Sequence, residues 1–179
     1  MRKGTIAGML LFLLLLSTSV FAEPVATIPG AECRLGEVRL GMSYEDLIRL
    51  HGIPVWKSGD REKGVVTYGK NVRIGIEKGV VEYVYTRANN GWRTPSGLKV
   101  GMDRKDVFRL YGQGNPSGSG SDYQNYCYWL AEAPGIFAQD TSGGYLVIAS
   151  SKDAPEKVAY IELTRGGYWF ESFSKKHFE

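Results

Sequence analysis

The sequence predicts an α+β fold built as two tandem helix-plus-antiparallel-sheet repeats, with the helices packed on one face of the sheet. Three observations predict it. The stretch from Val38 to Gly52, VRLGMSYEDLIRLHG, returns 60 residues later from Leu98 to Gly112 as LKVGMDRKDVFRLYG. Six of the fifteen positions are identical and most of the rest exchange like for like, which is the signature of a duplicated structural unit. Each copy also carries its own helix start and stop signals. Each is followed by three runs rich in β-branched and aromatic residues, the composition of strands.

In the first copy Ser43 is a good N-cap, and Asp46 three residues on resembles a capping box. Leu47, Ile48 and Leu50 supply a short apolar stripe. Gly52 can adopt the left-handed conformation that ends a helix, and Pro54 forbids its continuation. The second copy repeats the signals with Asp103, Asp106, Val107, Phe108, Leu110, Gly112 and Pro116. Each helix spans about two turns, too short to persist alone in water, so each must pack on a sheet.

The strands of the first repeat are expected over 65–68, 72–77 and 80–86, and those of the second over 123–130, 145–150 and 158–164. The last strands align as VVEYVYTR and VAYIELTR at an offset of 78, so the second copy holds 18 extra residues. The Gly/Ser-rich stretch 112–121 and the stretch 131–144 read as the long loops that contain them.

Alternation then assigns faces. Ala159, Ile161 and Leu163 are expected toward the helices, with Tyr160, Glu162 and Thr164 on the open side. Val81, Tyr83 and Tyr85 are placed inward and Glu82, Val84 and Thr86 outward. Val72, Ile74 and Ile76 read as inward, with Arg73 and Glu77 outward.

The chain begins with a basic Arg2-Lys3, an apolar run from Ile6 to Leu16 and a small-residue end at Ala22. This is the layout of a signal peptide cleaved after residue 22, and the run is shorter than the roughly 20 residues a membrane span needs. Glu23, not a cysteine, directly follows Ala22, so a soluble exported protein, periplasmic or extracellular and not a lipoprotein, is expected. The expected organisation is a signal peptide over 1–22, an N-terminal segment over 23–35, repeat 1 over 36–92, repeat 2 over 93–166 and a C-terminal tail over 167–179. The whole chain has 22 basic and 19 acidic residues. Without Arg2 and Lys3 it has 20 against 19, a net of +1, which leaves no broad positive field for nucleic acid. Export permits a disulfide between Cys33 and Cys127. It would close a loop of about 94 residues and contribute roughly 4 kcal/mol in the chain-entropy model. Two free buried thiols are the alternative.

The pattern Leu-Gly-Met-Ser-x-x-Asp-Leu from Leu40, followed by Gly52-x-Pro54, resembles the SmpA/OmlA (BamE-like) family. The doubled arrangement, with Val100-Gly101-Met102-Asp103, resembles the β-lactamase inhibitor protein family. The resemblance implies two tandem repeats forming one curved sheet, and a role in outer-membrane assembly or in inhibition of a hydrolase. It covers about fifteen residues in each copy. The matching residues are caps and helix frame rather than contact residues, so fold is implied more strongly than function. BamE-like proteins are single-copy lipoproteins, and the inhibitor carries a disulfide in each repeat. This chain shares neither feature.

No catalytic set is legible. His51 ends the first helix, where a partly positive imidazole suits the helix dipole, but Tyr111 takes its place in the second copy. His177 lies in the tail. Asp46 and Asp106 are accounted for by capping, and nothing resembles a nucleophile elbow or a phosphate-binding loop. With two cysteines and two histidines a metal site is not expected, so the reading is not an enzyme and no cofactor.

Aromatic residues crowd YQNYCYW at 123–129 and YWFESF at 168–173. With Cys127 and Trp129 packed inward, Tyr126 and Tyr128 are expected on the open face beside Tyr145, Tyr160 and Glu162. Exposed tyrosines are typical interface anchors. Core closure, or capping by the segment 166–179, would account for the same rings, and glycan stacking is also compatible. The expected function is an exported, non-catalytic protein-binding module of the cell envelope, whose partner is another envelope or secreted protein. The alternative is a secreted proteinaceous inhibitor of a hydrolase such as a β-lactamase.

Overall fold

The computed structural model describes residues 27–119, 122–131 and 144–165. The expected signal peptide over 1–22, nearly all of the loop over 131–144, the tail over 167–179 with His177, and the aromatic stretch over 168–173 lie outside them, as does the side chain of Trp129.

In chain order the described elements are β1 (Thr27–Pro29), a 3-10 turn (Gly30–Glu32), β2 (Arg34–Leu35), β3 (Val38–Arg39) and α1 (Tyr44–His51). Next come β4 (Val55–Gly59), β5 (Lys63–Tyr68), β6 (Val72–Glu77), β7 (Val80–Thr86) and α2 (Arg104–Tyr111). The last four are β8 (Asn115–Ser119), β9 (Tyr123–Ala131), β10 (Gly144–Ser151) and β11 (Tyr160–Arg165).

Both helices occupy the expected positions. The Ser43 hydroxyl accepts from the Asp46 amide at 3.0 Å, and Gly52 closes α1 at φ 78°. The Asp46 carboxylate does not reach back to the N-cap. It pairs with Arg49 at 2.5 Å, as Asp106 pairs with Arg109 at 2.7 Å. Asp103 starts α2 without a side-chain capping bond; its carboxylate meets Lys157 at 3.0 Å. Leu47 and Val107 are buried, whereas Leu50 and Leu110 are exposed. Each lies three residues on, about 60° round the helix, at the rim of the packed face.

The recurring Gly-Met pair has a physical role. Gly41 donates to the Val81 carbonyl at 2.7 Å, Val81 returns a bond to the Met42 carbonyl at 2.8 Å, and Tyr44 donates to Gly79 at 2.9 Å. In the second copy Gly101 donates to Val158 at 2.8 Å, Val158 to Met102 at 2.9 Å, and Arg104 to Glu156 at 2.8 Å. Each clamp ties a helix start to the chain leading into a sheet strand. Gly41 at φ 76° and Gly101 at φ 86° occupy backbone space that only glycine enters without strain.

One sheet runs in the order β1-β9-β10-β11-β7-β6-β5-β4, with β8 paired to β9 off that path. β1 is parallel to β9; the remaining ladders of this sheet are antiparallel. β2 and β3 form a separate two-stranded ribbon. These facts correct the expected fold class. The chain is not two helix-plus-sheet repeats but a mostly antiparallel sheet carrying two eight-residue helices. β7 pairs directly with β11, from Ile161 opposite Thr86 to Thr164 opposite Tyr83, so the sheet has no boundary between halves. The duplication in the sequence is confined to the helix and its clamp.

The helix-side core gathers Leu35, Val38, Leu40, Leu47, Val66, Ile74, Ile76, Val84, Leu98, Leu146, Ile148, Ile161 and Leu163. Leu163 is fully buried, so Leu163→Ala is expected to cost about 2–5 kcal/mol in denaturant unfolding. Gly101→Ala meets no steric obstacle and is expected to cost about 1–2 kcal/mol from its left-handed backbone alone. An unchanged unfolding midpoint for Gly101→Ala would contradict the clamp.

Candidate binding face

The face of the sheet away from the helices is set by a bulge. On the β6–β7 ladder Ile76 pairs with Val81 and the adjacent Gly75 with Tyr83. Glu82 is therefore the extra residue, and it inverts the alternation that follows. Val81 keeps to the helix-side core, while Val84 joins it from the position expected to be open. Tyr83 and Tyr85, expected inward, lie opposite Thr164 and Glu162 on the other face. The isolated Gly75 in an otherwise β-branched strand is the one sequence signal of this bulge.

Along this second face the ladders align Cys127, Val147, Glu162, Tyr85, Arg73 and Thr67 in one transverse row. A second row holds Tyr145, Thr164, Tyr83, Gly75 and Val65. Four tyrosines form a chain of ring contacts. Tyr83 stacks on Tyr85 at 6.4 Å, Tyr85 meets Tyr160 at 5.3 Å, and Tyr160 meets Tyr123 edge-on at 5.3 Å. The Tyr160 hydroxyl donates to Asn125 Oδ1 at 3.1 Å.

The face is not open along its whole length, as the alternation had suggested. Tyr83, Tyr85, Glu162, Thr164 and Val147 are buried, Tyr145 and Tyr160 are half-buried, and Tyr123 is 40% exposed.

At the centre of this face lies Glu162, 6% exposed. Its carboxylate accepts a long hydrogen bond from Tyr83 at 3.5 Å. Burial pushes the Glu162 carboxyl up to about 7, against the smaller pull of that hydrogen bond. Burial also drives Tyr83 well above the ordinary tyrosine range, and the neighbouring Glu162 carboxyl adds to it. The Thr164 hydroxyl, on the same face, is buried without a hydrogen-bond partner. At the bulge, burial raises Glu82 to about 7 although Arg165 is in direct contact and pulls the other way.

Of the expected contact residues, Tyr145, Tyr160 and Glu162 lie on this face and Tyr126 and Tyr128 do not. Tyr126 and Tyr128 pair with Ile148 and Leu146 and belong to the helix-side core. Phe108 packs edge-on against Tyr126 at 5.6 Å, and Tyr111 lies 5.7 Å from Tyr128. The hydroxyls find partners there. Arg104 donates to Tyr126 at 2.9 Å, and Tyr128 donates to the Gly112 carbonyl at 3.0 Å. A tyrosine whose hydroxyl is satisfied packs as a core residue, and alternation by itself does not say which of its two sets points inward.

Of the two alternatives for Cys33 and Cys127, a disulfide or free thiols, the structure has both thiols free. Cys33 belongs to the helix-side core, and Cys127 shares the row of Val147 and Glu162 on the opposite face. Burial raises both thiols, Cys127 to about 11, so neither is an activated nucleophile.

His51 stacks on Trp92 at 5.4 Å and lies 5.5 Å from Tyr68. Its Nε2 is buried with no hydrogen-bond partner. A polar knot missed in the sequence holds Glu32, which accepts from the Tyr111 hydroxyl at 2.5 Å and from the Ser96 hydroxyl at 2.7 Å. Thr94 joins Tyr111 at 2.6 Å. These bonds tie the 3-10 turn to α2. Among the described residues no group of three His, Cys, Asp or Glu is placed to hold a metal ion. No described helix is long and apolar enough to cross a membrane.

No family model and no curated protein matches the chain. Two solved structures align with it. One is an extracellular protein containing an SCP domain from Bacillus anthracis, at 14% identity and TM-score 0.46, covering 70% of this chain and 44% of that one. The other is a cysteine-rich secretory protein from Staphylococcus aureus, at 15% identity and TM-score 0.48, covering 78% of this chain and 47% of that one. This chain thus spans less than half the length of either, and a likeness this distant carries nothing about activity or partner.

The resemblance to the SmpA/OmlA (BamE-like) and β-lactamase inhibitor families is withdrawn. No model of either matches, and the structures that align are described as SCP-domain and cysteine-rich secretory proteins instead. The fifteen shared residues are explained locally, as the clamp, cap and buried positions that two short helices on a sheet require.

Because the folded-state value of Glu162 is raised, the folded protein holds a proton that the unfolded chain releases near pH 4.5. The stability linked to that proton is full below about pH 4.5 and is lost as pH rises through about 7. Glu162→Gln is therefore expected to remove a fall in stability on the order of 2–3 kcal/mol between pH 5 and 8. Thermal unfolding of both proteins across that range checks it, and parallel pH profiles would contradict it.

Proposed function

We propose that this protein is an exported, non-catalytic binding module of the cell envelope, periplasmic or extracellular and not lipid-anchored, that engages a protein partner at the accessible end of its tyrosine row. The observation that carries this reading is the Tyr83–Tyr85–Tyr160–Tyr123 chain. Its buried end is held among the strands, and its far end, at Tyr123, is 40% exposed. Rigid aromatic anchors with their hydroxyls at the edge contribute large contact area at small conformational cost. Asn125, on the same face, supplies a hydrogen-bonding group beside them. The basic start and apolar run of the first 22 residues support export.

The test is affinity capture from an envelope and culture-supernatant extract with immobilised protein, compared with a Tyr123→Ala/Tyr160→Ala variant. A partner captured by the native protein is expected to be lost at least tenfold with the variant, whose fold is checked by its circular dichroism spectrum. Equal capture by a folded variant would contradict the assignment of this edge.

A further inference from the structure

We propose that the rim formed by the β2–β3 ribbon and the adjoining segment 93–99 binds a doubly charged oxyanion, the terminal phosphate of a phosphomonoester or polyphosphate. Four cations meet there. Arg34 and Arg39 are direct partners across the β2–β3 ladder. Their neighbours Leu35 and Val38 are fully buried, so both arginines point to solvent, on the side away from the core. Arg93 and Lys99 are partners in a second, isolated bridge, and both are exposed. The Gly36 amide donates to the Arg93 carbonyl at 2.8 Å, which places the tip of the ribbon against that bridge.

Between them is a recess of about 480 Å³ lined by Arg34, Gly36, Glu37, Gly91, Arg93 and Thr94, with Pro95 at its edge. Among the described residues no carboxylate pairs with Arg34, Arg39, Arg93 or Lys99, whereas five other surface cations have acidic partners. Two acids adjoin the rim, Glu37 in its lining and Glu32, which is bonded to Ser96, so the four cations outnumber them by two.

Like charges directly opposite on an antiparallel pair repel, and here the repulsion is doubled by an adjacent cationic bridge. A counter-charge relieves it most effectively when one group spans two cations. A phosphate does this with two charges and three or more acceptor oxygens. A monoanionic carboxylate satisfies one guanidinium and leaves the other uncompensated. Three of the four cations are arginines, whose planar fork suits two-point contact with phosphate oxygens. The recess is large enough for such a group, and Arg39 and Lys99 stand opposite its two lining arginines, Arg34 and Arg93. The patch is local, in a chain whose positive and negative charges nearly balance, so the inference does not extend to a general affinity for nucleic acid.

The test is isothermal titration of the full chain with sodium tripolyphosphate at 20 and 150 mM salt, with polyglutamate and phosphatidylglycerol vesicles as separate arms. Tripolyphosphate is expected to bind, to weaken as salt rises, and to lose at least tenfold in affinity in Arg34→Ala/Arg93→Ala. Arg61→Ala, a surface cation paired with Glu45, is expected to leave binding unchanged. Binding that is equal in the double variant would overturn the site. So would tighter binding to polyglutamate, which assigns the rim to an acidic protein, or binding to vesicles alone, which assigns it to a membrane surface.

Discussion

The ladder between β7 and β11 is the constraint on which the rest of the molecule depends. It is only four registered pairs long, from Ile161 with Thr86 to Thr164 with Tyr83. It joins strands encoded about 78 residues apart and makes one sheet of what the sequence writes as two. Through it Val84 and Leu163 meet on the helix side, where they complete the core, and Tyr85 and Glu162 meet on the other. A one-residue slip here would exchange those sets and place Glu162 under the helices. The bulge at Glu82 prevents the slip. It lets Val81 serve the clamp of α1 while the remainder of β7 matches β11.

The polar groups enclosed by this arrangement are satisfied unevenly. On the helix side Tyr128 is satisfied by a helix-terminal carbonyl, Tyr126 by Arg104, and Glu32 by Tyr111 and Ser96, while His51 Nε2 and Ser150 Oγ have no partner. The satisfied groups fix geometry, because breaking any of their bonds leaves a buried donor or acceptor unpaired. On the second face Glu162 has one long hydrogen bond, and Thr164 Oγ1 has none. Buried, under-satisfied polar atoms cost stability, and they occur on both sides of the sheet, at His51 Nε2 and Ser150 Oγ as well as at Thr164 Oγ1.

Much of this was legible in the sequence, for local reasons. Both helices, the Ser43 cap, the glycine stops and the strands at 65–68, 72–77 and 80–86 follow from propensities and turn residues that act over a few positions. The inward set Val72, Ile74 and Ile76 followed from simple alternation. What failed was set from outside the segment concerned. The face of β9 depends on which rings α2 offers it, and Phe108 and Tyr111 drew Tyr126 and Tyr128 inward. The strand β8 lies in a Gly/Ser/Pro stretch that reads as loop, and pairing with β9 overrides that propensity. The parallel partner β1 and the edge strand β4 left no comparable signal. The fold class failed because a true local duplication, the helix and its clamp, was extended to strands that are not duplicated as a unit. The face assignments divided for the same reason: Tyr145, Tyr160 and Glu162 follow an unbroken alternation to the face expected for them, and Tyr83 and Tyr85 lie beyond a bulge.

The central claim is that the β7–β11 ladder makes the sheet one cooperative structure. Native-state amide hydrogen exchange measures this directly, since strands that open only together share one free energy of exchange and one denaturant dependence. The slowest amides of β6, β7, β11 and β10 are expected to fall in a single class that matches global unfolding. Two classes divided between β7 and β11, with one half exchanging while the other stays protected, would contradict it.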